Sequence, residues 1–344
     1  MHNIAILGCG RISASHVAAL EKVSELKLVA CCDILDERAA ETAAKTGCTA
    51  YTDYEKMLEN ENIDMVALCT PSGMHPDHAI AAAKAGVNVL SEKPLGTSLE
   101  KVDRAIEACD RAKVLYMEVK QNRLNPTIVL LRQALEAGRF GRIHMITSNV
   151  LWTRPQDYYD MAPWRGTWEF DGGCLANQAA HYVDMVQWMG GAVEQVHAFS
   201  STLGRRIEAE DTITVGLKFR NGAVGNINVS VLTYPRNLEG SITVMGDRGT
   251  AKIGGVAMNK VEIWDFDAPH KMDEQLDSVS YDPKSVYGGG HYVLYRDLPG
   301  MLDGTAKSYG FVTAREGRKT VEVLERAYER SKESSRVKVG RGIL

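Results

Sequence analysis

The sequence predicts an α/β protein of two regions: a parallel sheet covered on both faces, then helices and an antiparallel sheet with one buried face. In the first third of the chain, short apolar runs alternate with helical patterns, as expected when crossover helices cover a parallel sheet. Beyond about residue 125, apolar residues alternate with period two, which favours antiparallel strands with one buried face. A length of 344 residues suits two domains, which we place at residues 1–122 and 123–344.

Five apolar runs predict the strands of the first region. They are Asn3–Leu7, Leu26–Cys32, Ile63–Cys69, Val87–Leu90 and Val114–Met117. Helical periodicity between the runs predicts helices at Ser13–Val23, Glu37–Lys45, His75–Ala85 and Leu99–Arg111.

The second region opens with a predicted linking helix, Pro126–Ala137. Alternating apolar residues then predict strands at 213–219, 223–231, Ser241–Met245 and Thr250–Ile253. Further helices are expected at Asn177–Met189, Tyr292–Leu302 and Ala314–Lys332.

Composition excludes several classes of protein. Forty basic against 44 acidic residues give a net charge of −4, so nucleic acid is not an expected partner. The seven cysteines are odd in number and form no C-x-x-C pair, which argues against a disulfide framework or a zinc ribbon and favours a reducing cytosol. We find no signal peptide and no apolar stretch of ~18 residues, so we expect a cytoplasmic protein with no membrane partner.

A glycine-rich turn follows the first strand, in the segment Gly8-Cys9-Gly10-Arg11-Ile12-Ser13. This is a dinucleotide-binding fingerprint in which Ser13 replaces the third glycine. Its first glycine permits the tight turn, its second lets the backbone approach a pyrophosphate, and the helix N-terminus offers N–H groups. Asp33 closes the second strand, where a carboxylate accepts the ribose hydroxyls and repels a 2′-phosphate. We therefore expect NAD rather than NADP.

Polar residues follow the third and fourth strands, where parallel sheets bind ligands. Thr70-Pro71-Ser72 and His75 follow the third strand, and Glu92-Lys93-Pro94 follows the fourth. A partly desolvated lysine beside a nicotinamide cation suits proton transfer. His75 and His78 have no thiolate or carboxylate cluster near them in sequence, so no metal is expected.

Asp171-Gly172-Gly173 precedes a predicted helix that bears Asn177 and His181. A spacing of four places the two side chains on one helical face. Such a pair serves either as a buried polar contact or in acid–base work and hydroxyl binding.

Together these segments resemble the glucose–fructose oxidoreductase, inositol dehydrogenase and MocA family. The resemblance rests on Gly8–Ser13, Asp33, Thr70–His75, Glu92–Pro94, and Gly172-Gly173 ahead of His181 and Asp184. It implies an N-terminal Rossmann domain with a doubly wound parallel sheet and a C-terminal α/β domain with an open, mostly antiparallel sheet. It also implies assembly through that sheet as a homodimer or homotetramer, and hydride transfer from a sugar or cyclitol. The family pattern has Asp where this chain has Asn177. Because an amide cannot stabilise an imidazolium by charge, we expect Lys93 to be the base and His181 to position the hydroxyl.

Several later segments resemble a narrower group within that family, which oxidises C3 of a UDP-linked N-acetylated uronic acid. They include KQNRLNP at 120–126, WTRPQDYY at 152–159 and WRGTWEFDGG at 164–173. Some members of the group regenerate NAD by reducing 2-oxoglutarate. The clustered tryptophans and arginines of these segments suit an anionic, ring-rich substrate.

These inferences assign a role to each candidate residue, with substrate expected over the nicotinamide between the domains. We expect cofactor contacts from Gly8, Gly10, Arg11, Ile12, Asp33, Thr70, Pro71, Ser72, His75, Glu92, Lys93, Gln121, Trp164 and Arg165. Substrate contacts are expected from Lys93, Arg154, Tyr158, Arg165, Asn177, His181 and His291. The alternatives are a dehydrogenase of free inositol or aldose, and a non-catalytic NAD-binding protein.

Overall fold

The computed structural model describes residues 1–282, 289–305 and 308–335. Two units follow from the packing of the chain. The first combines Met1–Asn125 with the described part of Pro283–Val321. The second combines Pro126–Asp282 with the described part of Glu322–Leu344.

The elements alternate between strand and helix at first and then become strand-rich. The strands are β1 (His2–Leu7), β2 (Leu26–Cys32), β3 (Thr49–Tyr51), β4 (Met65–Leu68), β5 (Asn88–Ser91), β6 (Tyr116–Val119), β7 (Ile143–Leu151), β8 (Val193–Ser201), β9 (Thr212–Phe219), β10 (Val224–Ser230), β11 (Glu239–Gly246), β12 (Gly249–Gly254), β13 (Lys260–Phe266) and β14 (Phe311–Thr313). The helices are α1 (Ser13–Leu20), α2 (Asp36–Thr46), α3 (Tyr54–Asn60), α4 (His75–Lys84), α5 (Leu99–Ala112), α6 (Pro126–Glu136), α7 (Gln156–Asp160), α8 (Gly173–Asn177), α9 (Ala180–Gly190), α10 (Leu276–Val279), α11 (Gly290–Leu302) and α12 (Ala314–Ser335).

The first sheet has the order β14-β6-β5-β4-β1-β2-β3. Its strands pair in parallel except at the edge, where β14 runs antiparallel to β6. Alternate residues face opposite sides: Ala5 and Leu7 join a core with α4 and α5, whereas Ile4 and Ile6 join a core with α1 and α11. Both faces are therefore buried, which confirms the predicted covered parallel sheet.

Helix α11 returns to the first unit late in the chain. Its Leu294, Tyr295 and Leu298 are completely buried in the core that contains Ile4 and Ile6 of β1. The packing units thus differ from a single boundary after residue 122, because a late segment also belongs to the first unit. An apolar stripe on α11 is buried against α1, and it brings the later segment back to the N-terminal sheet.

The second unit contains a sheet of order β13-β12-β11-β7-β10-β9-β8. Its pairs are antiparallel except β7 with β10, which run parallel. The predicted alternation is confirmed in β9, where Ile213, Val215, Leu217 and Phe219 are buried. The opposite face is more open, and Phe199 is 68% exposed there.

One predicted helix differs from the structure. The helix expected at Asn177–Met189 is broken, because α8 ends at Asn177 and α9 begins at Ala180. Both Gln178 and Ala179 donate their backbone N–H to the Cys174 carbonyl, and this shared acceptor ends the first helix. The two short elements β3 and α3 were not predicted.

Within the described ranges, no helix is long and apolar enough to cross a membrane.

Candidate active site

The glycine loop between β1 and α1 has the geometry that its fingerprint requires. Gly8 adopts φ +93°, and a Cβ there would lie 2.8 Å from the Cys69 carbonyl carbon and oxygen, so only glycine fits. At Gly10, by contrast, a Cβ would meet no described atom within 4 Å, which leaves the backbone open to a ligand. Ser13 fills the third glycine position and donates its hydroxyl to the Gly10 carbonyl at 2.6 Å.

The first turn of α1 is suited to an anion. Ile12 stands at its N-cap without a side-chain hydrogen bond to the helix, so side-chain capping does not compete for the amide groups of that turn. Arg11 is exposed beside it. These residues fit a pyrophosphate by their chemistry.

Asp33 is anchored to the glycine loop. Its Oδ2 accepts the Cys9 N–H at 2.8 Å, and its Oδ1 accepts the Leu35 N–H at 2.9 Å. Each carboxylate oxygen has further lone pairs, so the group can also accept hydrogen bonds from a diol. The structure thus ties the carboxylate at the end of β2 to the glycine loop, and its expected contact with a ribose remains a prediction.

His75 connects the loops that follow β4 and β5. Its Nδ1 lies 2.8 Å from the Pro94 carbonyl oxygen and its Nε2 lies 2.8 Å from the Thr70 carbonyl oxygen. Burial lowers the pKa of His75, while these two bonds act in the opposite direction. The Thr70 hydroxyl lies 3.0 Å from Nδ1 of His78. Both His75 nitrogens therefore contact protein atoms, and the cofactor contact expected of this side chain remains a prediction. Pro71 and Ser72 lie at the start of the short turn that connects Thr70 to His75, and Ser72 is buried.

Glu92 lies in a buried group of histidines. Its Oε1 is 3.0 Å from Nε2 of His16 on α1 and 3.6 Å from Nε2 of His291 on α11. Nδ1 of His16 is 2.7 Å from the Tyr295 hydroxyl. The other Glu92 oxygen accepts the backbone N–H of Lys93 at 3.2 Å. Lys93 itself is half-buried in the loop that follows β5.

Gln121 begins the short turn after β6 and is buried. Gly290, the first residue of α11, packs so closely that a Cβ would collide with the Gln121 carbonyl. The next residue, His291, is 6% exposed. Sequence reasoning placed Glu92 with the cofactor and His291 with the substrate. The structure brings them together in one buried cluster, and their ligand contacts stay predictions.

In the second unit, two arginines lie close to one tyrosine ring. The Arg154 guanidinium carbon is 5.6 Å from the Tyr158 ring centroid, and that of Arg165 is 4.4 Å from the same ring. Arg165 also lies over Trp164 at 4.5 Å, and Arg154 donates to the Thr153 carbonyl at 2.6 Å. The rings and backbone hold both cations in place. The arrangement presents two guanidinium groups, which suits carboxylate or phosphate.

Asn177 and His181 lie on consecutive helices, Asn177 at the end of α8 and His181 near the start of α9. The Asn177 amide donates to Asp171, whose other oxygen accepts the Gly166 N–H at 2.7 Å. The buried Asp171 carboxylate thus fixes the Asn177 amide. Sequence reasoning quoted Asp171 but gave it no role, because it lies outside the expected four-residue spacing.

The glycine pair before α8 accommodates a second buried acid. Gly173 has φ +86°, and a Cβ there would collide with the Glu210 carboxylate. Oε1 of Glu210 accepts the Leu175 N–H at 2.9 Å, and the Tyr328 hydroxyl lies 3.1 Å from it. Burial raises the pKa of Glu210 to about 8. In the sequence, only the glycine pair indicated that another group packs closely against this backbone. Nothing in the sequence identified that group as Glu210.

The two sets of residues have distinct chemistry. The first unit contains the glycine loop, the anchored Asp33 and Lys93, and the second contains the arginine–tyrosine group with Asn177 and His181. A parallel sheet with this loop at its first strand–helix turn defines a dinucleotide-binding unit.

The chain belongs to the Gfo/Idh/MocA family of oxidoreductases. Residues 2–119 match the model of the oxidoreductase family with the NAD-binding Rossmann fold, and residues 128–252 match the model of the GFO/IDH/MocA C-terminal domain. This confirms the predicted family, the two-part α/β fold and NAD as the cofactor class.

Among the solved structures that resemble this chain, two share more than 40% of its residues. The WlbA dehydrogenase of Bordetella pertussis, in complex with NADH and UDP-GlcNAcA, is 46% identical with a TM-score of 0.94, covering 97% of this chain and 96% of its own. The Chromobacterium violaceum WlbA dehydrogenase, with the same two ligands, is 44% identical with a TM-score of 0.92, covering 97% and 94%. The myo-inositol 2-dehydrogenase of Thermotoga maritima is 33% identical over 258 residues, or 72% of this chain and 73% of that protein.

Proposed function

We propose that this protein oxidises the C3 hydroxyl of UDP-N-acetyl-2-amino-2-deoxyglucuronate to a ketone with NAD⁺, as a step in making surface-polysaccharide sugars. The observation that carries the proposal is the 44–46% identity, over 97% of the chain, to two dehydrogenases crystallised with NADH and UDP-GlcNAcA. The position of the oxidation comes from the resemblance of the sequence segments.

In this proposal the first unit binds the cofactor. Gly8, Gly10, Arg11 and Ile12 hold the pyrophosphate, supported by the open backbone at Gly10 and the N-terminal turn of α1. Asp33 accepts the adenosine ribose hydroxyls. Thr70, Pro71, Ser72, His75, Glu92 and Gln121 shape the nicotinamide end.

Lys93 acts as the base. Carbinol oxidation releases one hydride and one proton, so the Lys93 amine must be neutral in order to accept the proton. NAD⁺, when bound, accepts the hydride. The half-buried position of Lys93 supports this role, and the Glu92 carboxylate that accepts its backbone N–H fixes the backbone from which the side chain extends.

The second unit binds the sugar nucleotide. Arg154, Tyr158, Trp164 and Arg165 offer two cations and aromatic faces to a substrate that has a diphosphate and a carboxylate. His181 and Asn177 position the reacting hydroxyl, supported by the buried Asp171 that fixes the Asn177 amide.

A ligand comparison tests the substrate class. With NAD present, UDP-N-acetylglucosaminuronate should raise the melting temperature more than UDP alone, because a ligand that binds only the folded state stabilises it. Free sugars should have little effect. Stabilisation by a free cyclitol or aldose, with none from the UDP-sugar, would overturn the proposal.

The second candidate is a dehydrogenase of free inositol, favoured by the 33% identity to the Thermotoga maritima enzyme. It predicts no UDP-saturable site. Reduction of the cofactor by myo-inositol, with no inhibition by UDP, would favour it. A protein that binds NAD but reduces it with no sugar would instead be the non-catalytic alternative.

The proposal extends to recycling, assembly and location. We place reoxidation of bound NADH by 2-oxoglutarate in the same enzyme, and assembly as a homodimer or homotetramer through the second sheet. The open face of that sheet exposes Phe199, Val224 and Met145, which supports assembly there. Seven unpaired cysteines fit a cytoplasmic location.

A further inference from the structure

A cluster of four buried side chains lies next to the residue proposed as base. The imidazole–carboxylate cluster consists of His16 on α1, Glu92 after β5, and His291 and Tyr295 on α11, all at most 6% exposed. All four belong to the first unit. Sequence reasoning had no signal for His16 or Tyr295.

The hydrogen bonds of the cluster follow a consistent order. A tyrosine hydroxyl that donates to Nδ1 of His16 leaves the proton on Nε2, which then donates to Oε1 of Glu92 at 3.0 Å. Burial lowers the pKa of His16, which favours the neutral ring. Burial would raise the pKa of Glu92, but His16 and His291 hold it well below its usual range. The cluster therefore contains an ionised Glu92 carboxylate beside a neutral His16 imidazole.

The same carboxylate fixes the backbone at Lys93. Its second oxygen accepts the Lys93 N–H at 3.2 Å, while His75 contacts the carbonyl of the following residue, Pro94, at 2.8 Å. The chain is thus held on both sides of Lys93. His291 lies 3.6 Å from the first oxygen and connects α11 to this loop.

We propose that His16, Glu92 and His291 are positioning residues for Lys93. The two histidines hold the charged Glu92 carboxylate against the Lys93 backbone. This fixes the loop from which the Lys93 amine reaches the reacting hydroxyl. The helix α11, late in the chain, is then part of the catalytic apparatus of the first unit. This inference rests on the proposed role of Lys93 as base.

Kinetic variants test the positioning role. Glu92→Gln keeps the shape of the side chain but removes its charge, and His291→Ala removes the contact from α11. Each should lower kcat by about 10- to 100-fold with little change in KM for the UDP-sugar, since a small misplacement of a reacting group has effects of this size. His291→Gln, which keeps an N–H donor, should recover part of the loss. Tyr292→Ala, on the exposed side of the same helix, is the matched control and should behave as wild type.

Competitive labelling tests the same idea without turnover. The rate at which acetic anhydride modifies Lys93, followed by peptide mass spectrometry, reports how much of the amine is neutral. A nearby negative charge stabilises the ammonium form, so Glu92→Gln should move the onset of Lys93 labelling to lower pH. The titratable groups around Glu92 that remain in this variant are His16, His75, His291, Cys69 and Tyr295.

The two measurements separate the possible failures. If the wild-type protein turns over no UDP-sugar but the labelling shift occurs, the proposed function fails and the positioning role stands. Unchanged Lys93 labelling with unchanged kcat overturns the positioning role. The three ligand atoms of His16, Glu92 and His291 lie within 4.8 Å of one another, so bound metal must also be measured. Stoichiometric zinc in the purified protein, lost in His291→Ala, would show a metal site and overturn the proposal.

Discussion

Lys93 and His181 occupy different units and different local surroundings, so their roles can be tested one at a time. Lys93 follows a strand of the parallel sheet and its backbone is fixed by Glu92, whereas His181 lies buried near the start of α9. We expect Lys93→Ala to lower kcat by at least ~10²-fold while NAD binding survives, because a positioned base contributes ~10²–10⁴-fold. His181→Asn should keep more activity and lose mainly substrate affinity. Steady-state kinetics with NAD titrations measure both effects.

The reverse ranking would identify a different base. If His181→Asn is inactive and Lys93→Ala turns over, the histidine takes the proton despite its amide neighbour Asn177. A melting curve for each variant serves as the control, since both residues are at least partly buried and a misfolded variant would imitate a catalytic loss.

Asp33 should determine which dinucleotide binds. Its carboxylate is held by two backbone N–H groups, so it cannot easily turn away from a 2′-phosphate. We expect NAD⁺ to bind at least ~10-fold tighter than NADP⁺, a difference of about 1.4 kcal/mol. Asp33→Asn removes the charge and should reduce that ratio, chiefly by weakening NAD⁺. Asp77→Asn, an exposed carboxylate on α4, is the control. Equal affinities in the wild type would remove the role given to Asp33.

At the scale of single elements, α8 depends on a buried acid. Glu210 accepts the Leu175 N–H in this helix and occupies the space that a Cβ at Gly173 would need. Because burial raises the pKa of Glu210 from 4.5 to about 8, the folded state keeps a proton that the unfolded state has lost between these values. Its contribution to stability is full below about pH 4.5 and is lost as the pH rises to about 8, by at most about 1.4 kcal/mol per pH unit.

Thermal melting from pH 5 to pH 9 tests this expectation for Glu210. Glu210→Gln is neutral at every pH, so its melting temperature should rise relative to wild type as the pH increases. Glu208→Gln, an exposed acid two residues away, should show no such trend. Parallel curves for wild type and Glu210→Gln would mean that Glu210 is already ionised in the folded protein.

Elements with a strong periodic pattern were the predictable ones. Leu26–Cys32 was predicted with the bounds that the structure has, because an apolar run interrupted only by Lys27, between two helices, has few alternatives. Strand β7 was missed, since its exposed residues, such as His144 and Met145, interrupt the alternation. The break between α8 and α9 was also missed, because it depends on two N–H groups sharing the Cys174 carbonyl, a contact that spacing does not encode.

At the scale of the whole molecule, local motifs were predictable and distant contacts were not. The glycine loop and Asp33 could be identified because their chemistry is tied to one strand–helix turn and the next strand end. The contact between Glu92 and His291 joins residues about two hundred positions apart, and it exists because α11 packs on α1. No pattern within the α11 sequence predicts that α11 packs on α1. Sequence analysis therefore assigned Glu92 and His291 to different ligands.

The last prediction concerns how the molecule completes its catalytic cycle. If NADH stays bound, the enzyme must oxidise the sugar and then reduce a second substrate, which gives ping-pong kinetics. Arg154 and Arg165, which both contact the Tyr158 ring, suit the carboxylate of 2-oxoglutarate as well as that of the uronate. The protein as isolated should therefore show NADH absorbance that 2-oxoglutarate discharges, and Arg165→Gln should slow both half-reactions. Arg206→Gln, whose side chain is exposed and paired only loosely with Asp160 at 3.9 Å, should slow neither. If no 2-oxo acid alters the bound cofactor and added NAD⁺ exchanges with it freely, the two guanidinium groups serve the sugar nucleotide alone and the cofactor is reoxidised elsewhere.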